Sequence, residues 1–127
     1  MTTSSAGRRH GLAIKNVRDP ATSDDGRRIL TDRLWPRGVS KEKAGITEWC
    51  KDLAPTKELR QWFAHDPERW SEFRKRYHRE LVERGQLEAL RQFRDRSRRE
   101  KITFVYDAHD HDHKEAVALL EFADKLP

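Results

Sequence analysis

The chain has 127 residues, 35% hydrophobic and 39% charged, with a formal charge of +5, a size suited to one domain with one modest core. Clustered apolar residues exclude general disorder, the lone Cys50 excludes a disulfide within the chain, and no apolar run approaches the ~20 residues of a membrane helix. A pI near 9.6 favours anionic partners, small molecules or nucleic acid, although 22 acidic residues are mixed among the 27 basic ones.

Residues 1–10 are polar and carry Arg8, Arg9 and His10. They read as a flexible tail ahead of a single domain over residues 11–127. Leu12 to Val17 alternates as a first strand. Arg18 to Gly26 holds Asp, Pro, Ser and Gly and reads as a loop. Ile29 to Leu34 is expected to be the second strand, closed by Trp35-Pro36-Arg37-Gly38, since Pro36 cannot donate to a ladder and Gly38 permits a sharp turn. Ser40 to Trp49 is expected to hold a short helix, with Cys50 packed just behind it. Thr56 can cap the next helix, whose buried side is Leu59, Trp62 and Phe63. Asp66-Pro67-Glu68 is a helix start with Asp as N-cap and Pro at the first helical position. Trp70, Phe73, Tyr77 and Leu81 then recur at steps of three and four, one apolar stripe on a long helix. Gly85 interrupts it. A further helix buries Leu87, Leu90 and Phe93, with Arg91, Arg94, Arg96, Arg98 and Arg99 outward or near its end. Lys101 to Asp107 is a β-branched and aromatic strand, and His113 to Leu126 closes the chain as a helix. This order predicts an α/β fold: a small, mostly parallel sheet of three to four strands flanked by helices. The direction of the second strand relative to the first stays open, because their connection is short for a parallel crossover.

Ligands of open α/β sheets sit beyond the carboxyl ends of the strands. That rule selects Arg18-Asp19, the run Arg33 to Arg37, and Tyr106-Asp107 with His109 just after. Arg27 to Gly38 packs four arginines, an aspartate and a tryptophan into twelve residues. Arginine's planar fork suits phosphate and carboxylate. Arg33 and Arg37 are therefore the leading anion-binding candidates, with Trp35 as a wall and Asp32 as the acid that orients an arginine. The competing structural reading is an internal ion pair of Asp32 that fixes the turn. Arg28 reads as a surface residue at strand entry. Arg18, Arg60, His65 and Tyr106 complete the candidate ligand set. His109, nearest a strand tip, is the acid–base candidate beside Asp32. His109, His111 and His113 alternate with acids and form a candidate metal or haem loop, set against a reading as a polar helix cap. Arg91 to Arg99 and the basic tail support a nucleic-acid-binding alternative. The sequence names no cofactor and holds no G-x-G-x-x-G, Walker lysine loop or G-x-S-x-G elbow. A single free thiol fits the cytoplasm.

The run D-G-R-R-I-L-T-D-R-L-W-P-R-G (Asp25 to Gly38) resembles the signature of the YeaO-like branch of the domain of unknown function 488 family. The segments Trp49 to Trp70, Phe73 to Leu81 and Phe104 to Leu120 are similar to it as well, so the resemblance covers nearly the whole chain after the tail. It implies a small cytoplasmic bacterial α/β protein without an assigned reaction. Some members carry a porphyrin-methyltransferase label, and this chain shows no glycine-rich loop for a methyl donor. The family pattern points to Asp32, Arg33, Trp35, Pro36, Arg37 and Gly38, then Trp49, Lys51, Leu59, Arg60, Phe63 and His65. The chain departs from it at His109 and Glu115, where similar proteins tend to have a basic residue and an asparagine.

Overall fold

A computed structural model describes residues 11–107 and 114–127. Four strands, β1 (Leu12–Asn16), β2 (Arg27–Leu30), β3 (Glu48–Trp49) and β4 (Ile102–Tyr106), form one sheet in the order β1-β4-β2-β3. Every pairing is parallel, so β1 and β2 point the same way with β4 between them. The helices are α1 (Lys41–Ala44), α2 (Lys57–Phe63), α3 (Trp70–Glu83), α4 (Leu87–Arg96) and α5 (Lys114–Lys125). The expected α/β class and parallel sheet are observed.

The sheet is covered on both faces, which is why β4 reads as an almost unbroken apolar run. Ile102 and Phe104 join Ile29 and Leu12 in the main core, with Leu59, Phe63, Phe73, Tyr77, Leu90 and Leu119 from the helices. Val105 and Leu30 point to the other face and pack with Val17 and Ala44, with Trp35, Val39 and Ile46 around them. The two clusters follow from the two-residue period of a strand. On α3 the predicted stripe is buried at Phe73, Tyr77 and Leu81, with Trp70 half-buried. Phe63 stacks on Phe73 at 4.4 Å between centroids. Thr56 caps α2 as expected, its hydroxyl accepting from the Leu59 N–H. Asp66 caps the short turn that leads into α3.

Three expectations are corrected. The second strand ends at Leu30, not Leu34. Thr31 still donates its N–H to the Val105 carbonyl, but the Asp107 N–H goes to the Asp32 carboxylate at 2.9 Å. A continued parallel ladder would send that donor to a backbone carbonyl, so the side chain ends the pairing. The short helix expected within Ser40 to Trp49 is present as α1, capped by Ser40 and stopped at Gly45 in the left-handed region. Trp49 lies in edge strand β3, and the Cys50 N–H donates to the Leu30 carbonyl beside it. Arg28 is buried, not a surface residue: its Nη1 lies 2.7 Å from Asp25 and its Nε donates to the Ala44 carbonyl. Arg94 also turns inward, donating to the carbonyls of Ala123, Leu126 and Pro127 to tie down the end of the chain.

Gly26 makes the entry to β2 possible. Its φ is 63°, and a Cβ there would lie 2.1 Å from the Lys101 carbonyl oxygen. Only glycine fits both the left-handed backbone and that close approach. Among the described residues no helix is long and apolar enough to cross a membrane.

Candidate functional site

The parallel sheet brings the carboxyl ends of β1, β4 and β2 to one edge. Asp107, which follows β4, is 2% exposed. Its carboxylate receives Arg18 Nε at 2.8 Å and Nη2 at 3.1 Å, a two-point grip on the guanidinium. Arg18 Nη2 also donates to the Arg37 carbonyl at 2.9 Å. On its other side Asp107 is held through its N–H by Asp32. Asp32, Asp107, Arg18 and the turn at Arg37 thus form one polar chain across the three strand tips.

Arg18 lines an open groove of about 600 Å³ between the exit of β1 and the turn into α1. Asp19, Pro20, Gly38, Val39 and Lys43 form much of its wall. Val39 is fixed from below, its carbonyl accepting the Trp35 indole N–H at 2.6 Å. Trp35 meets Trp49 edge-on at 5.5 Å, and the Trp49 indole donates to the Asp32 carbonyl. Lys51 sits 4.2 Å over the Trp49 ring. The groove has the size of a small-molecule site. Both signs of charge line it: Arg18 and Lys43 against Asp19 and Glu42.

A second, enclosed cavity of about 10 Å³ lies at the same edge, bounded by Thr31, Asp32, Tyr77, Tyr106 and Glu115 among others. It has room for about one water. Burial pushes the Tyr106 hydroxyl above its usual pKa, with Asp19 adding to the effect. Burial does the same to Tyr77, whose hydroxyl donates to the Leu53 carbonyl.

Arg18, Asp32, Trp35, Arg37 and Tyr106 therefore gather at one edge, as the sequence predicts, but in altered roles. Arg37 gives Arg18 its carbonyl, while its side chain, like that of Arg33, is exposed. Asp107 grips Arg18, and Asp32 holds Asp107 in turn. Arg60 lies on α2 with its Nε 3.8 Å from Glu115. His65 follows α2 in the left-handed region, its ring 6.4 Å from Phe63. His109, His111 and His113 lie outside the described residues, and so do the acid–base and metal assignments that rest on them. Elsewhere, Cys50 has its thiol pushed up to about 11 by burial, then by Glu48 and Asp52, which suits a packed residue. Three arginines of and after α4 pair locally: Arg91 with Glu88, Arg96 with Glu100 and Arg98 with Asp95.

Sequence reasoning missed Asp107 as the partner of Arg18, and Lys43 and Val39 as groove walls. An acid placed directly after the apolar run of β4 was the available signal for Asp107, since a charge so near a buried strand needs a partner.

The family model described as the inactive DUF488-N3 subclade matches residues 11–126. YeaO of Escherichia coli K12, an uncharacterised protein, is 35% identical over 115 residues, covering 91% of this chain and 98% of that protein. The uncharacterised protein Rv3073c of Mycobacterium tuberculosis H37Rv is 44% identical over 86 residues, covering 68% and 73% respectively. No solved structure matches. With a family match spanning residues 11–126, this chain belongs to DUF488-N3i, the inactive DUF488-N3 subclade.

Proposed function

We propose that this protein binds, without chemically changing it, a small phosphate- or carboxylate-bearing molecule in the groove at the strand tips. One observation carries the reading: Arg18 is held in place by Asp107 and the Arg37 carbonyl while it lines a groove of about 600 Å³. A guanidinium fixed in advance loses less freedom on binding an anion. Lys43 supplies a second positive charge and the Gly38–Val39 turn a backbone wall. Arg33 and Arg37, both exposed beside that turn, add positive field at the entrance. The description of the subclade as inactive supports the absence of turnover. Asp32 then serves as a positioning residue that holds Asp107. The free thiol of Cys50 fits a cytoplasmic setting.

The test is an NMR titration of the labelled protein with inorganic phosphate, pyrophosphate, citrate and adenosine monophosphate. At least one should shift the amides of residues 17–21 and 38–43 saturably. Arg18→Lys should weaken that binding at least about tenfold, because an ammonium cannot replace the oriented fork. Silence of those amides with all four anions, or full affinity in Arg18→Lys, overturns the site. Conversion of the bound anion to a product overturns the non-catalytic half.

A further inference from the structure

A second groove lies on the helical layer, between α3 and α5. Its volume is about 630 Å³, and Ser71, Arg74, Lys75, His78, Arg79 and Val82 line its α3 side. These positions are spaced by three and four, so they form one face of α3 over three turns, about 16 Å long. Phe122 and Lys125 of α5 form the opposite side. Val82 is 50% exposed, an uncovered apolar side chain at one end. His78 packs edge-on against Phe122 at 5.2 Å. The stems of Arg74, Lys75, Arg79 and Lys125 extend the apolar surface while their heads stay at the rim.

Among the described residues no carboxylate lines this groove. Arg74 reaches out to Glu121 at 2.6 Å; Lys75 and Arg79 feel the Glu72 carboxylate on their own helix, but among the described residues neither they nor Lys125 closes a salt bridge within 4 Å. Elsewhere on the same helix Arg76 is paired with Glu72. An apolar floor inside a cationic rim is complementary to an amphipathic helix whose polar face is acidic. A phosphate backbone would satisfy the rim and leave the Val82 and Phe122 floor unused. We infer that the α3–α5 groove docks an acidic amphipathic helix of a partner protein, with apolar side chains against Val82 and Phe122 and carboxylates on Lys75, Arg79 and Lys125. This surface is built from other elements than the strand-tip groove and stands independently of it.

The experiment uses three probes on the full chain: a helical peptide with leucines at i, i+3, i+4 and i+7 and glutamates elsewhere, a peptide of the same composition with its leucines spread around the helix, and a thymidine oligonucleotide. Fluorescence anisotropy reads affinity, and amide shifts locate the contact. The amphipathic peptide should bind at least about tenfold more tightly than the other two and shift residues of α3 and α5. Lys75→Gln with Arg79→Gln should weaken it about tenfold and flatten its salt dependence. Val82→Asp should weaken it as well. These side chains are exposed, so an unchanged melting temperature certifies each variant. Equal or tighter binding of the spread peptide or the oligonucleotide overturns the inference in favour of a general polyanion contact. Failure of the amphipathic peptide to bind, or binding unchanged by the substitutions, also overturns it.

Discussion

Arg28 and Arg91 each sit 2.7 Å from a carboxylate in a neighbouring turn, yet they do different work. Arg28 and its partner Asp25 are 3% and 8% exposed, and the guanidinium is also bonded to the Ala44 carbonyl. Arg91 and Glu88 are 38% and 61% exposed on the surface of α4. The buried pair joins the entry of β2 to α1, and Lys15 of β1 joins it at 3.0 Å from Asp25. The surface pair joins nothing beyond its own turn. Distance alone therefore does not rank an arginine. What ranks it is the desolvation that would be left uncompensated if its partner were removed.

Arg28→Ala should have the largest effect. It leaves the Asp25 carboxylate buried with, among the described residues, Lys15 as its ion-pair partner, and removes the side chain that bonds the Ala44 carbonyl. Loss of one member of a buried pair costs about 3–5 kcal/mol. That is a large part of the stability of a small domain. Urea unfolding followed by tryptophan fluorescence should show this loss with the denaturant slope unchanged. A cost no larger than that of a surface pair would mean that burial does not distinguish the two regions.

Acid offers a gentler probe of the same pair. Burial tends to raise the Asp25 pKa, but the Thr22 N–H, Lys15 and Arg28 outweigh it and hold the carboxyl at about 2, below its ordinary 3.8. A depressed folded-state pKa contributes stability above the unfolded value, lost as pH falls through the folded one. Stability from Asp25 should therefore decline between about pH 4 and pH 2. In Asp25→Asn, unfolding curves should lose that part of the acid dependence. An unaltered acid limb in the variant would place the proton uptake elsewhere.

The same distinction explains what the sequence disclosed. The main strands and α3 are local: β4 is an apolar run, and α3 repeats every three and four residues, so both are legible. Strand β3 is two residues long and exists because β2 offers it an edge. No local pattern encodes that. The end of β2 depends on a side chain of one tip taking the N–H of another, across 75 positions. Arg28 shares a face with Leu30, an apolar position, and the local acid Asp25 was the hint that it could turn inward. At the candidate site, the turn at Pro36 and Gly38 was readable. The grip of Asp107 on Arg18 spans 89 positions and emerges only when the parallel sheet aligns the tips.

The smallest expected effect lies on the surface side of the comparison. Arg91→Ala removes a pair that is open to water on both members, and Arg98→Ala removes a contact of 3.8 Å between exposed groups. Each should cost less than about 0.5 kcal/mol, because water replaces the lost partner and the freed side chain regains rotamer entropy. Added salt should shrink even that difference. Arg94 provides the internal control on the same helix, since its guanidinium is buried and committed to carbonyls at the end of the chain. If Arg91→Ala and Arg94→Ala shift the urea midpoint equally, position on α4 rather than burial sets the cost. A large gap between them shows that two arginines three positions apart belong to different physical classes, as Arg91 and Arg28 do.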